Sequence, residues 1–205
     1  EALPVEGWNA QMSLMTGMAA GQIMHEAGVG VLRTLPTPDP ETLEGLRRTA
    51  AGLGVNWPDT VSYADLVRDL DPNIARERTM LVRSARGLSG AGYASFLDHD
   101  SVPSHPQHSA IAALYGHVTA PLRRVCDRYA NEAILAVGEG RTPPDWVLAT
   151  LPDLPSVMGR SRQRASRYEK AVLDLVEVLT LENHVGREFE ALVVNHRREK
   201  AIIQI

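Results

Sequence analysis

Aromatic residues are scarce in this chain: Phe, Tyr and Trp make up 5% of its 205 residues. A core so poor in rings must be built from aliphatic side chains and alanine, which favours helices. A disulfide within the chain is excluded, because Cys126 is the only cysteine. That usage fits a reducing compartment, and a cytoplasmic protein is expected. Long hydrophobic runs are missing too. The most apolar stretch, Met12–Met24, is interrupted by Ser13, Thr16 and Gln22 and is too short and too polar to span a bilayer. No basic-then-apolar leader is visible. An excess of positive charge is also absent. Twenty-one Lys and Arg against 25 Asp and Glu give a net charge of −4, so any affinity for nucleic acid must come from a local patch. What remains, 44% hydrophobic and 22% charged, is the composition of a globular chain that buries a real core. The chain opens at Glu1 without an initiator Met and closes in the strand-like run Ala201–Ile205, so a piece of a longer protein is expected.

Helical periodicity runs from Trp8 to Glu26, with Met12, Met15, Ala19, Ile23 and Met24 along one face and Gly28 and Gly30 as its end. Leu35-Pro-Thr-Pro-Asp-Pro40 forbids helix and reads as an extended connector. Further helices are predicted over Asp39–Leu53, Ser62–Leu70 and Asn73–Leu88. Gly87–Gln107 reads as irregular. A long helix is predicted from Thr119 to about Gly138, with Leu122, Val125, Cys126, Tyr129, Ala133 and Val137 as its apolar stripe. Prolines 143, 144, 152 and 155 break the chain, and a second long helix is predicted over Ser161–Asn183, with Tyr168, Val172, Leu175, Val176 and Leu179 facing inward. Phe189–Val194 and Ala201–Ile205 read as strands joined by a polar loop.

Most motif tests are negative. There is no Walker loop, Gly28-x-Gly30 lacks its third glycine, and Ser89 misses the nucleophile-elbow spacing. His25-Glu26 has no second His four residues after the first. His99, His105 and His108 share a loop with no cysteine, and Asp98 and Asp100 are the only carboxylates beside them at ligand spacing, so an ordinary solvated loop is expected and no metal site is assigned. Asp65, Asp69 and Asp71 fit a solvated helix end, and Asp39, Glu41 and Glu44 suit a helix N-terminus through the macrodipole.

Two basic features stand out. In Tyr115-Gly-His-Val-Thr-Ala-Pro-Leu-Arg-Arg-Val-Cys-Asp127, Thr119 is a candidate N-cap and Pro121 suits a first helical turn, which puts Arg123 and Arg124 close to a helix N-terminus. Cations there oppose the helix dipole, whereas an anion-binding role suits them. The competing expectation is a plain Arg123–Asp127 pair at i, i+4. The second feature is Arg160, Arg162, Arg164, Arg167 and Lys170, five basic residues with only Glu169 among them. A solvated helix start explains that strip as readily as a binding role does.

The run 115–127 resembles the signature of the ribonuclease II / ribonuclease R (RNB) family, Tyr-Ala-His-Phe-Thr-Ser-Pro-Ile-Arg-Arg-Tyr-x-Asp. Tyr115, His117, Thr119, Pro121, Arg123, Arg124 and Asp127 match it, Val125 replaces an aromatic, and Gly116, Val118, Ala120 and Leu122 are mild replacements. Upstream, the residues after His108 resemble the family's His-Phe-Gly-Leu-Ala run without its Phe; downstream, Val185-Gly186-x-x-Phe189-x-Ala191-x-Val193 resembles the junction into its S1-type OB domain. The resemblance implies hydrolysis of single-stranded RNA from the 3′ end to nucleoside 5′-monophosphates. It implies Mg²⁺ held by an aspartate cluster that this chain does not carry. It also places the family's catalytic arginine on Arg123, and a glutamate near the terminal nucleotide on Glu169. RNA-binding roles are expected for Tyr115, His117, Thr119, Arg124, Arg162, Arg164, Arg167 and Glu169.

The expected fold class is α+β: the mainly helical C-terminal part of an RNB domain over residues 1–184, then the first strands of an S1/OB-like domain over 185–205. The expected function is one part of a 3′-to-5′ exoribonuclease, this chain lining the channel and binding phosphate, partnered by single-stranded RNA and by the N-terminal part of the same protein. The alternative is a non-catalytic helical RNA-binding or protein-interaction module on the same scaffold.

Overall fold

Pro4, whose ring presets a helical φ, opens helix α1 (Pro4–Ala27), and the Glu6 carboxylate accepts from the Leu3 amide at 2.8 Å. Gly28 ends it at φ +70°, the left-handed conformation that glycine adopts without strain. The computed structural model describes residues 3–85, 90–197 and 200–204. The apolar residues of α1 do not seat it. Met12 and Met15 are 63% and 66% exposed, and the buried face is Gly17, Ala20, Gly21 and Met24. The small residues let the backbone of residues 115–116 lie directly on the helix, where the Gly116 amide donates to the Gly17 carbonyl at 2.8 Å.

Strand β1 (Gly30–Thr34) follows and pairs antiparallel with β2 (Gly92–Phe96), in register from Gly30↔Phe96 to Thr34↔Gly92. Periodicity revealed neither strand: each has five residues, and β2 lies in the stretch expected to be irregular. Between them come three helices, α2 (Pro40–Gly52), α3 (Tyr63–Asp69) and α4 (Ala75–Ser84), capped by Asp39 and Ser62 as their sequences predict for the first two. Leu46, Ala50, Val55, Leu66, Leu70 and Met80 form their own small core. Asp65 pairs with Arg68 on the outer face of α3. Residues 86–89, including Ser89 and most of the expected end of α4, lie outside the described residues.

Helix α5 (Val125–Gly138) begins six residues later than Thr119. Thr119 is therefore not its N-cap, Pro121 is not in its first turn, and Leu122, expected on the apolar stripe, is 95% exposed. Instead Pro121–Arg123 form a separate turn, because the carboxylate of Asp127 draws the chain into a different closure, described below. Cys126 and Ala130 do face the main core, which they share with Met24, Val31, Leu32, Phe96, Val147, Leu151 and Leu154, and Ala133 is buried as well. A short helix absent from the sequence reading, α6 (Asp145–Thr150), starts directly after Pro143-Pro144.

Helix α7 (Leu154–Leu181) is longer than expected and starts earlier, with Pro155 in its first turn. Its first turns pack on the core through Leu154 and Met158. From Arg160 to Leu181 every residue is exposed. The stripe expected to face inward is present but uncovered: Tyr168, Val172, Leu175, Val176 and Leu179 are 43–74% exposed, because no element among the described residues lies against it. Strands β3 (Leu192–Arg197) and β4 (Lys200–Gln204) form an antiparallel hairpin in the expected region, but with shifted bounds: Phe189 precedes β3, and Asn195–Arg197 and Lys200, read as loop, are paired strand residues. No helix among the described residues is long and apolar enough to cross a membrane.

Candidate nucleic-acid interface

Asp127 organises the site. It is fully buried, and its carboxylate accepts from the Ala120 amide (2.7 Å), from Arg124 Nε and Nη2 (2.9 Å each) and from the Cys126 thiol (3.4 Å). Burial works against the charged form. The hydrogen bonds from Arg124 and Ala120, with the Arg124 charge, outweigh it and hold the Asp127 carboxyl below its ordinary value. The ion pair thus runs from Arg124 at i, i+3, not from Arg123 at i, i+4 as the competing expectation had it. Other side chains pin the same segment. Arg128 Nε donates to the Pro121 carbonyl at 3.0 Å, and Asn131 Nδ2 to the Val118 carbonyl at 3.2 Å. The Arg123 and Arg124 amides both donate to the Ala120 carbonyl, at 3.2 and 3.0 Å. Within this closure Arg124 and Arg128 each have a partner, while the exposed Arg123 side chain has no hydrogen bond or ion pair among the described residues.

A ring cluster lies beside this turn. The Tyr93 hydroxyl is 2.8 Å from His117 Nδ1, and Tyr115 meets both His117 and His108 edge-to-face, with centroids 5.5 and 6.0 Å apart. Tyr115 is half-buried, its ring lying over Gly17 of α1. Desolvation, followed by the Arg124 charge, pushes the His117 imidazole down to about 4, so it stays neutral at ordinary pH. Burial lifts the Cys126 thiol to about 11. Thr119 is exposed at the edge of the cluster. His108 is tied into its loop by bridges to Leu35 and Ala113, apart from the exposed His105.

His117, Cys126 and Asp127 are the one set of potential metal ligands that converges among the described residues, with ligand atoms within 4.8 Å of one another. They do not suit a cation. Both Asp127 oxygens are taken by donors, Cys126 is held as the thiol, and the Arg124 guanidinium occupies the adjoining space. Nor does the set suit Mg²⁺, which prefers oxygen ligands.

Arginines of the α7 strip lie nearby at one end only. Arg162 donates to the Ala91 carbonyl next to β2, linking the strip to the ring cluster. Arg160 is held by Ser156 and Lys170 by Asp174, so Arg164 and Arg167 are the strip's uncommitted guanidinium groups among the described residues. Glu169 is exposed on the projecting part of the helix. One basic residue escaped the sequence reading. Arg33 of β1 stands opposite Tyr93 in the sheet register, its guanidinium carbon 4.8 Å from that ring, and Nη1 donates to the Gly92 carbonyl at 3.3 Å. A lone Arg in a five-residue strand carries no motif, so only the pairing of β1 with β2 reveals it.

Comparison with known proteins adds an independent finding. No family model matches the chain. It is 32% identical over 168 residues to "Exosome complex exonuclease RRP44 homolog A" of Arabidopsis thaliana, 79% of this chain and 18% of the plant protein. It is 25% identical over 202 residues to "Ribonuclease R" of Vibrio cholerae, 89% of this chain and 23% of that protein. The chain thus spans about a fifth of the length of these curated relatives. Among solved structures, the apo form of Mycoplasma genitalium RNase R superposes with a TM-score of 0.71 at 18% identity, over 97% of this chain and 32% of that one. The same bacterial enzyme in complex with ribose-methylated single-stranded RNA gives 0.70. Yeast Ssd1, described as a pseudonuclease, gives 0.54 at 17% identity over 71% of this chain and 18% of its own.

Proposed function

Because the chain belongs to the RNB exoribonuclease family and carries a partial region of it, we propose that it forms part of a hydrolytic 3′-to-5′ exoribonuclease acting on single-stranded RNA and releasing nucleoside 5′-monophosphates. In this reading residues 1–184 line the RNA path and bind phosphate, residues 185–205 begin an S1/OB-like domain, and the N-terminal part of the same protein holds the Mg²⁺.

One observation carries the reading: of the three arginines around the 120–124 turn, two are consumed in holding it and the third has no partner among the described residues. The Asp127–Ala120–Arg124 closure fixes the backbone from which Arg123 projects. The fixed backbone limits where the Arg123 guanidinium can reach, and a cation placed beside the scissile phosphate stabilises the charge that builds there. The guanidinium fork can engage two phosphate oxygens at once. Arg124, committed to Asp127, acts in this reading by positioning Arg123. The strip residues Arg164 and Arg167 supply sequence-independent attraction for the RNA backbone.

Fold alone does not decide catalysis, since a pseudonuclease shares it. Single-turnover degradation of a short oligoribonucleotide by the complete protein decides it. Arg123→Ala is expected to slow cleavage about 10²–10³-fold with little change in RNA affinity. Arg123→Lys should rescue little, because a point charge lacks the fork. Arg48→Ala on the distant helix α2 serves as control. Wild-type cleavage rates in Arg123→Ala would remove the catalytic role. RNA binding without any cleavage by the complete wild-type protein would leave a binding module on the RNB scaffold.

A further inference from the structure

Arg33 is a cation without a counter-ion. Its side chain is half-buried, and its recorded contacts are the Tyr93 ring and the Gly92 carbonyl; no carboxylate among the described residues pairs with it. Burying a guanidinium in this way is costly unless something anionic compensates. The neighbouring charges make the cost greater. Arg162 reaches the adjacent residue, donating to the Ala91 carbonyl, and likewise has no carboxylate partner among the described residues. Arg124, whose own charge Asp127 answers, is close as well. Desolvation is the first cause lowering the Arg33 pKa; Tyr93 and Cys126 offset it in part, and the Arg162 and Arg124 charges add to it. Stability of the isolated fold gains nothing from such a gathering of positive charge, whereas an anion entering between the guanidinium groups would relieve it.

The position ties this site to the Tyr115–Asp127 run. The Arg33 amide donates to the Tyr115 carbonyl at 2.8 Å, and Tyr93, under the Arg33 guanidinium, holds His117. Arg33 uses one of its five N–H groups on Gly92, and at least one edge of its fork remains for a ligand.

We propose that Arg33, flanked by Arg162, grips a phosphodiester of the bound strand at the Ala91–Gly92 end of β2. The site is separate from the Arg123 turn and serves to hold the RNA rather than to cleave it. The assignment rests on the reading of this chain as an RNA-handling one, and it names a contact that the Tyr115–Asp127 run does not contain.

The test uses the complete protein and a short single-stranded oligoribonucleotide, with affinity measured across a salt series. Arg33→Gln is expected to weaken binding about 10–100-fold, the worth of a charge-assisted bond, and to lower the salt slope by about 0.7, the share of one phosphate. The loss of affinity should exceed any loss of cleavage rate at saturating RNA, the split expected of a holding contact. Arg33→Lys keeps the charge and the stem over Tyr93. It should retain the salt slope while losing part of the affinity, which keeps the proposal testable if Arg33→Gln does not fold. Oligonucleotides carrying one neutral methylphosphonate linkage, scanned along the strand, give the sharpest readout. At one linkage, wild type and Arg33→Lys should bind equally tightly. If no linkage does this and the slope is unchanged, Arg33 is only a packing partner of Tyr93 and the proposal fails while the RNA reading stands. If the wild-type protein binds no RNA in any salt, the RNA reading itself falls.

Discussion

The turn at 118–124 and the strip at 160–170 are both rich in arginine, and they are built in opposite ways. Around the turn, a buried carboxylate, backbone carbonyls and a core-packed helix allot Arg124 and Arg128 a place each, and Arg123 alone projects from a fixed backbone. Along the strip the helix is exposed throughout; Arg160, Arg162 and Lys170 have partners, and Arg164 and Arg167 have none among the described residues. Fixed geometry suits a group that must meet one atom at one moment. Loose, solvated charge suits attraction to a repeating backbone at many registers. The same side chain therefore serves two purposes according to what lies beneath it.

The strongest way to break this contrast is to remove Asp127. Asp127→Ala leaves the Arg124 guanidinium and the Ala120 amide without their acceptor, and loss of one member of a buried pair costs about 3–5 kcal/mol. For a chain of this size that corresponds to a fall of about 10 °C in Tm, measurable by thermal unfolding. Arg164→Ala and Arg167→Ala should leave Tm unchanged. A mutant at Asp127 that melts with the wild type would show that the closure does not hold the turn.

Acidification is next in size. His117 has a folded value of about 4, below the ordinary 6.5, so the unfolded chain takes up the proton first. Stability is then full above about pH 6.5 and declines as pH falls toward 4, by roughly 2–3 kcal/mol, with Asp127 adding to the loss at lower pH. Denaturant titrations at pH 7 and pH 4.5 check this, and His117→Gln should flatten the dependence. A wild-type stability that does not change between the two pH values would mean that His117 is not held neutral by its surroundings.

The smallest effect is expected at the strip. Arg164→Ala with Arg167→Ala should weaken RNA binding several-fold and reduce its salt slope by about 1.4, while cleavage at saturating RNA is unaffected. A slope equal to that of the wild type would leave the strip as solvated surface.

Helix existence was legible because α2, α3, α5 and α7 carry periodic apolar positions, and Asp39 and Ser62 announce two of the starts. The start of α5 was misread because Thr119 and Pro121 satisfy the local rules for a helix N-terminus, and local rules do not see a carboxylate seven residues ahead capturing the Ala120 amide. The inward face of α7 was misread for a related reason: periodicity reports that a stripe exists, not that anything covers it. At the site, the spacing of Arg123, Arg124 and Asp127 was visible, but which arginine pairs with Asp127 depended on the turn. Arg33 needed the β1–β2 pairing, a contact 59 residues long in sequence.

The seating of α1 on residues 115–116 has a consequence for anyone engineering this chain. Replacing a mid-helix glycine by alanine ordinarily gains up to about 1 kcal/mol. Gly7, with open space around its missing side chain, should follow that rule. At Gly17 a methyl group would lie 2.2 Å from Tyr115 Cε2, and at Gly21 2.7 Å from the Tyr115 backbone nitrogen. The second clash is with main chain and cannot be relieved by a rotamer change. A thermostabilisation scheme that fills helix glycines by propensity would therefore improve the exposed end of α1 and, ten and fourteen residues further on, pry the helix off Tyr115 and Gly116.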